Sequence, residues 1–472
     1  IEEINPFDFG ERKFDLIVGN PPYMKTEDIK KFTPNEKKLY EKGNLYVSAN
    51  KQYDKYFLFI ERAIGLLKSD GYLGYIVPSK FMKVGAASNL RGIIASNRYL
   101  KSIISFGAHQ IFEDKTTYTC IVILQKKEHN NFEYAEVRNL NGWKVRSSEG
   151  DSFGIRPSTA ISDATWVLYP DDYAELFKAV TENTKNLSEI VGHENIFNGI
   201  QTSANNEYIF TPIKEDEHNY TFYYKSKKYL IEKSVTKPYY KTERGKEKNV
   251  MSAYKTFKPN ARVIFPYDEK NKSKLELIPL ETIESRFPLL YKYLRDIKPI
   301  LTKPTRNIQP KPKTENEWHR YGRHQNLVAC DKREKIIVGV NSFGEQYAID
   351  KSSTFVTSGG TAGYCLITVP ENSGYSIYYI QALLCSKQVE WLASLYGEIY
   401  HGGSIARGTK VLAQMPLHTI DFENQEEKAK HDAIVCRQKQ IIDIGDKLAA
   451  IKGNKRNASC NAFICREKQK EC

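Results

Sequence analysis

The sequence is short of the features that would place it in a membrane, around zinc or outside the cell. No window approaches the roughly 18 uninterrupted apolar residues of a membrane helix, and the first residues show no signal-peptide pattern, which together point to a soluble cytoplasmic protein. The eight cysteines form no C-x-x-C pair, and Cys120, Cys330, Cys365, Cys385 and Cys436 lie far apart. That spacing argues against a metal site and for a reduced compartment. Cys460, Cys465 and Cys472 crowd the last 13 residues, where no apolar periodicity is visible, so the tail reads as disordered. There is no internal repeat and no G-x-G-x-x-G loop.

What is present describes a globular, basic protein. A chain of 472 residues exceeds one compact core, so two or three domains are expected. Hydrophobic residues make up 40% and aromatics 12%, which excludes a disordered chain. Lys and Arg number 70 against 57 acidic residues, a net charge of +13. Their distribution carries more than their sum. Residues 225–248 hold nine Lys/Arg against three Glu, and residues 298–323 hold seven against two. Tyr229, Tyr239, Tyr240, Trp318 and Tyr321 are interleaved with them, a pattern that favours a nucleic-acid partner over a merely solvated face.

The first third alternates strand and helix, as in a doubly wound sheet. Phe14–Gly19 reads as a buried strand of a parallel sheet. A polar, Lys-rich stretch from Met24 to Lys51 reads as a mobile loop. Tyr53 to Lys68 forms an amphipathic helix, with Tyr56, Ile60, Ala63, Ile64 and Leu67 on one face. A strand at Tyr72–Val77, a helix at Ala87–Ser96 and strands at Leu100–Phe106 and Thr117–Gln125 follow. Beyond about residue 130 the strands are short, at Tyr208–Phe210, Arg262–Phe265, Lys335–Val340 and Gly363–Thr368. A helix at Tyr375–Leu395 and a final amphipathic helix at about Gln425–Lys452 complete the pattern. The domains expected are therefore 1–130, 131–420 and 421–472. The fold class is α/β, a partial Rossmann-like sheet followed by an α+β domain and a C-terminal helix.

The first strand ends in Asn20-Pro21-Pro22-Tyr23, a combination that arises by chance in roughly one chain per thousand of this length. An exocyclic amine on adenine is a poor nucleophile, because its lone pair is delocalised into the ring. The Asn20 side-chain oxygen and the Pro21 carbonyl can accept its two hydrogens and turn the lone pair toward a methyl donor. Consecutive prolines leave that carbonyl little freedom, and Tyr23 offers a flat stacking surface.

On these residues the chain resembles the adenine-N6 DNA methyltransferases of restriction-modification systems, the TaqI-like group and its type IIG relatives. The run Phe14–Tyr23 is similar to the family's catalytic motif, and Gly71–Pro78 to the strand after it. Ile111–Thr119 is similar to a later motif, which implies that Phe112 faces Tyr23 across the extruded base. Asn198–Asn205, Lys237–Tyr240 and Gly402–Lys410 resemble segments of the family's target-recognition domain. The resemblance implies double-stranded DNA as partner and base flipping. It also implies S-adenosylmethionine as cofactor, Asn20, Pro21, Pro22 and Tyr23 as catalytic residues, and Lys237, Tyr239, Tyr240, Arg407 and Lys410 as DNA contacts. The family's main cofactor loop lies upstream of its catalytic motif, so the chain is expected to be part of a longer protein and inactive alone. Asn5 and Asp8 are the candidates here for cofactor contact, and a fused nuclease would precede them in a type IIG parent. Two other readings are a DNA-specificity module without catalysis, and a methyltransferase of protein glutamine or ribosomal RNA.

Overall fold

The computed structural model describes residues 10–42, 45–50, 52–112, 117–144, 153–242, 251–271, 274–331, 334–358, 363–400 and 403–468. The chain divides into two compact units, one of Ile1–Glu182 with Leu392–Ser404 and the other of Asn183–Trp391 with Ile405–Cys472.

The first unit is a mixed α/β layer. Its strands are β1 (Phe14–Gly19), β2 (Leu67–Pro78), β3 (Leu100–Gln110), β4 (Tyr118–Gln125), β5 (Asn131–Glu136) and β6 (Gly154–Pro157), in the order β1-β2-β4-β3-β5-β6. β1 and β2 run parallel, as do β3 and β5, and the other neighbours are antiparallel. The sheet is thus mixed where the strand and helix alternation suggests a parallel one, because β4 returns between β2 and β3. It also continues past residue 130, since Phe132 and Tyr134 bury their rings in the same core as Ile103 and Val122. The expected boundary at 130 therefore moves to about 182.

Two helices, α1 (Thr26–Phe32) and α2 (Pro34–Glu41), stand where the Lys-rich stretch reads as a mobile loop. Their local signals are orthodox. α1 carries Glu27 and Asp28 in its first turn and Lys30 and Lys31 in its last, which suits the helix dipole, and α2 opens on Pro34. Ile29 and Tyr40 anchor them in the core. The excursion is closed at its base, where Thr26 N donates to Tyr53 O at 3.0 Å and Lys55 N to Met24 O at 2.8 Å. Helix α3 (Lys55–Leu66) then buries Tyr56, Phe57, Ile60, Ala63 and Ile64, the face its periodicity marks. Helix α4 (Ser88–Ser96) buries Leu90 and Ile94 on the same side. β1 lies at the sheet edge with Leu16 and Val18 exposed at 61% and 70%, although its composition is that of a buried strand.

The second unit gathers its own aromatic-rich core. Strands β7 (Ile196–Asn198), β8 (Lys335–Gly339), β9 (Tyr347–Asp350) and β10 (Tyr364–Ile367) form a sheet in the order β9-β8-β10-β7. The apolar stretch expected as one helix is two, α5 (Ile377–Leu384) and α6 (Lys387–Tyr396). Ser386 ends the first and caps the second, its Oγ accepting from Val389 N at 3.2 Å. A short helix α7 (Thr409–Ala413) precedes the long α8 (Gln425–Lys468). α8 joins this unit through Gln438, which donates to Gln381 Oε1 at 3.0 Å and Ala253 O at 3.1 Å. It is helical through Cys460 and Cys465, where the tail reads as disordered; Cys472 lies outside the described residues. Among the described residues no helix is long and apolar enough to cross a membrane.

Candidate active site

The tetrapeptide leaves the sheet at the carboxyl end of β1, beside the carboxyl end of the parallel β2. That is the edge on which open α/β sheets bind ligands. Asn20 is exposed, and its side chain makes no hydrogen bond among the described residues. Pro21 is buried and Pro22 exposed, so the turn is anchored on one ring and open on the other. Tyr23 is half-buried and donates from Oη to Ile76 O on β2 at 2.9 Å. Burial, with Cys120 nearby, raises its phenol to about 12, so it remains a protonated donor at neutral pH. Beneath it lies Tyr56, fully buried, edge-on at 6.0 Å between ring centroids and bonded from Oη to Pro78 O at 3.2 Å.

Phe112 reaches the same place from the far end of β3. Its ring meets Tyr23 at 6.4 Å with 66° between the planes. A base stacked between two rings needs about 7 Å between near-parallel faces, twice the carbon–carbon contact distance. The structure therefore brings Tyr23 and Phe112 together but leaves no slot between them. Phe112 rests against Tyr23 here instead of facing it across a gap. Asn5 and Asp8 lie outside the described residues, as does 113–116 of the later motif.

In the second unit most of the expected contact residues are interior. Arg407 is 0% exposed; its guanidinium bonds Glu390 and Ser342 and lies over the Tyr347 ring. Tyr239 and Tyr240 are buried, Tyr240 against Phe257 at 5.2 Å and Tyr364 at 5.8 Å. Lys237 is half-buried and pairs with Asp331 at 2.7 Å. Arg407, Tyr239 and Tyr240 are thus packed into the core, whereas Lys237 keeps part of its side chain exposed beside Asp331. Lys410, on α7, is exposed. The aromatics of the basic stretches are likewise core residues, among them Tyr229, Trp318 and Tyr321, whereas Lys298, Lys303, Lys311 and Lys313 are exposed.

A polar group of a different make-up stands open in this unit. Backbone bridges join Gln201 to Arg323 and Ile200 to Thr357. Arg323 donates from Nη1 to Asn307 O at 3.1 Å and Gly322 O at 2.9 Å, and Asn205 Nδ2 reaches Thr357 Oγ1 at 3.4 Å. Gly322 makes the approach possible, because a Cβ there would meet Ser203 Oγ at 1.8 Å. Amide and guanidinium side chains are those that read base edges. The basic stretch 298–323 contains Asn307 and Arg323, but their meeting with Gln201 and Asn205 is a property of the fold that spacing does not reveal.

In sequence the chain resembles restriction-modification methylases. Residues 1–112 match the family model described as Eco57I restriction-modification methylase. The type II restriction enzyme and methyltransferase RM.Eco57I of Escherichia coli is 45% identical over 441 residues, which is 93% of this chain and 44% of that protein. The type II methyltransferase M.HincII of Haemophilus influenzae is 22% identical over 435 residues, covering 90% of this chain and 78% of the relative. The solved structure of the type IIL restriction-modification enzyme MmeI in complex with DNA shares the fold, with a TM-score of 0.51 and 11% identity over 89% of this chain and 48% of that one. The chain thus spans less than half the length of its Escherichia coli relative.

Proposed function

We propose that this chain is the base-holding and target-recognition part of a cytoplasmic DNA methyltransferase, one that uses S-adenosylmethionine to modify N6 of an extruded adenine within a restriction-modification enzyme. The observation that carries this reading is the exposed Asn20 amide, without a side-chain hydrogen bond among the described residues, at the carboxyl end of β1, followed by two prolines and the Tyr23 ring. Asn20 Oδ1 and the Pro21 carbonyl would accept the two amine hydrogens and localise the nitrogen lone pair. Tyr23 and Phe112 would hold the base, after Phe112 turns away from its edge-on contact. S-adenosylmethionine supplies the methyl group when bound, and the alkylated nitrogen then sheds its proton without a strong base. Asn5 and Asp8 remain the candidates in this chain for contact with the donor.

Recognition of the duplex is assigned to the second unit. Gln201, Asn205, Asn307 and Arg323 would read base edges, while Lys410 and the exposed lysines of 298–313 would bind phosphate. The Escherichia coli relative joins restriction enzyme and methyltransferase in its name, which supports a fused nuclease in the parent of this chain.

The test is to incubate the full-length protein with labelled S-adenosylmethionine and duplex DNA, then to analyse the nucleosides. N6-methyladenine is expected; transfer to cytosine, or none, counts against the reading. Calorimetry on residues 1–472 alone should show no tight S-adenosylmethionine binding. Tight binding would mean that the donor site lies within this chain.

A further inference from the structure

The basic stretch 225–248 begins at the tip of a β-hairpin. Strands Asn219–Tyr224 and Lys227–Glu232 pair antiparallel, with Lys214–Glu215 added along the edge. Side chains alternate between the two faces of this small sheet. Phe222, Tyr229 and Ile231 enter the core of the second unit, Phe222 stacked on Phe210 at 4.2 Å and Tyr229 edge-on to Tyr293 at 4.9 Å. Tyr223 and Lys228 oppose each other on the other face, and both are exposed, as is Leu230 two residues further on.

The tip itself is cationic. Tyr224-Lys225-Ser226-Lys227 reverses the chain with positive φ at both central residues, 46° at Lys225 and 64° at Ser226. That geometry suits the twist of a hairpin, and Asn-Gly is the pair that adopts it at least cost. A lysine in its place carries backbone strain that glycine would relieve. Lys227 is committed to Asp296 at 2.6 Å. Lys225 and Lys228 make no ion pair among the described residues, and the Lys225 ammonium lies over the Tyr224 ring at 5.5 Å. The carboxylates of the sheet stand toward its other end, where Glu215 pairs with Lys233 at 3.0 Å and Asp216 accepts from Asn219 N at 2.8 Å. The tip is also tied to the group assigned to base reading. Tyr224 Oη donates to Glu207 Oε1 at 3.0 Å, in the one-turn helix Asn205–Tyr208 that opens on Asn205. Tyr293, packed edge-on against Tyr224 at 5.8 Å, donates to Glu207 O at 2.7 Å.

We propose that this hairpin tip is a clamp for the DNA backbone: Lys225 and Lys228, with the Tyr223 hydroxyl, bind duplex phosphates beside the bases that Asn205 and its neighbours read. The proposal deepens the DNA-recognition reading above and rests on it. A duplex is the occupant that complements two unneutralised ammonium groups and an exposed phenol, since lysine and tyrosine both donate to phosphate and set register without reading sequence. The test is binding of the full-length protein to a labelled duplex, selected from random sequence by wild-type binding, as salt rises from about 50 to 200 mM. Lys225→Gly and Lys228→Ala should each weaken binding about 3–10-fold at low salt and reduce the slope of log affinity against log salt by about one. Lys225→Gly should unfold on heating no earlier than wild type, because glycine accepts the turn without strain. Lys225→Arg should keep the wild-type slope. Wild-type slopes in both Lys225→Gly and Lys228→Ala would overturn the proposal and leave the face to a protein partner. Weaker binding in step with a loss of folded protein would overturn it as well. A wild type that selects no duplex would instead overturn the DNA-recognition reading, and this proposal with it.

Discussion

The two units hold their conspicuous polar side chains in opposite ways. In the first, the Asn20 amide stands exposed at a strand end, with no side-chain hydrogen bond among the described residues. In the second, Arg407 is enclosed, with Glu390, Ser342 and Tyr347 around its guanidinium. Removing one partner of a buried, paired charge is strongly destabilising, whereas an exposed polar group is available to a ligand. On the proposed function, the difference separates a side chain available for chemistry from one that holds shape within one protein.

The comparison can be broken most forcefully at Arg407. Arg407→Ala in the full-length protein should cost about 3 kcal/mol in urea unfolding, near the lower end for a buried pair because Glu390 keeps some exposure. A variant with normal stability and lost DNA affinity would return Arg407 to the recognition surface. Tyr23→Phe should cost about 1 kcal/mol, the net worth of the hydrogen bond to Ile76 O, while base stacking and most of the methylation rate persist. If the rate collapses with the fold intact, the hydroxyl takes part in the reaction. The smallest effect on stability is expected at Lys410. Lys410→Ala should stay within about 0.5 kcal/mol of wild type, yet reduce the salt dependence of DNA binding by about one counterion. An unchanged salt slope would remove Lys410 from the phosphate contacts.

How much of this was legible in the sequence differs between the units for a physical reason. The turn proposed as catalytic is local: Asn20, Pro21, Pro22 and Tyr23 are consecutive, and an apolar run before them suffices to locate the strand that presents them. Helix α3 is local in the same sense, since its apolar periodicity marks the face it buries. The surface proposed for recognition is not local. Gln201, Asn307 and Arg323 meet through bridges between distant segments, and the aromatics among the lysines are drawn into the core by the area they bury. The misreading of Met24–Lys51 has another source, for its lysines suggest solvent while Ile29 and Tyr40 supply just enough apolar surface to dock two short helices. The placement of Leu392–Ser404 in the first unit was hidden for the same reason as Arg323, because Lys83, which donates to Ser394 O and Gly397 O, lies more than 300 residues earlier in the chain.

The central claim is that the exposed Asn20 amide at the end of β1 is the catalytic group, and one measurement addresses it directly. Single-turnover methyl transfer to duplex DNA should be followed for the full-length wild type and for Asn20→Ala, alongside DNA binding by both. The account predicts a rate lower by about 10²–10³-fold, the scale of losing one preorganised polar group, with the dissociation constant for DNA nearly unchanged. Wild-type transfer by Asn20→Ala, or the loss of binding together with transfer, would contradict it.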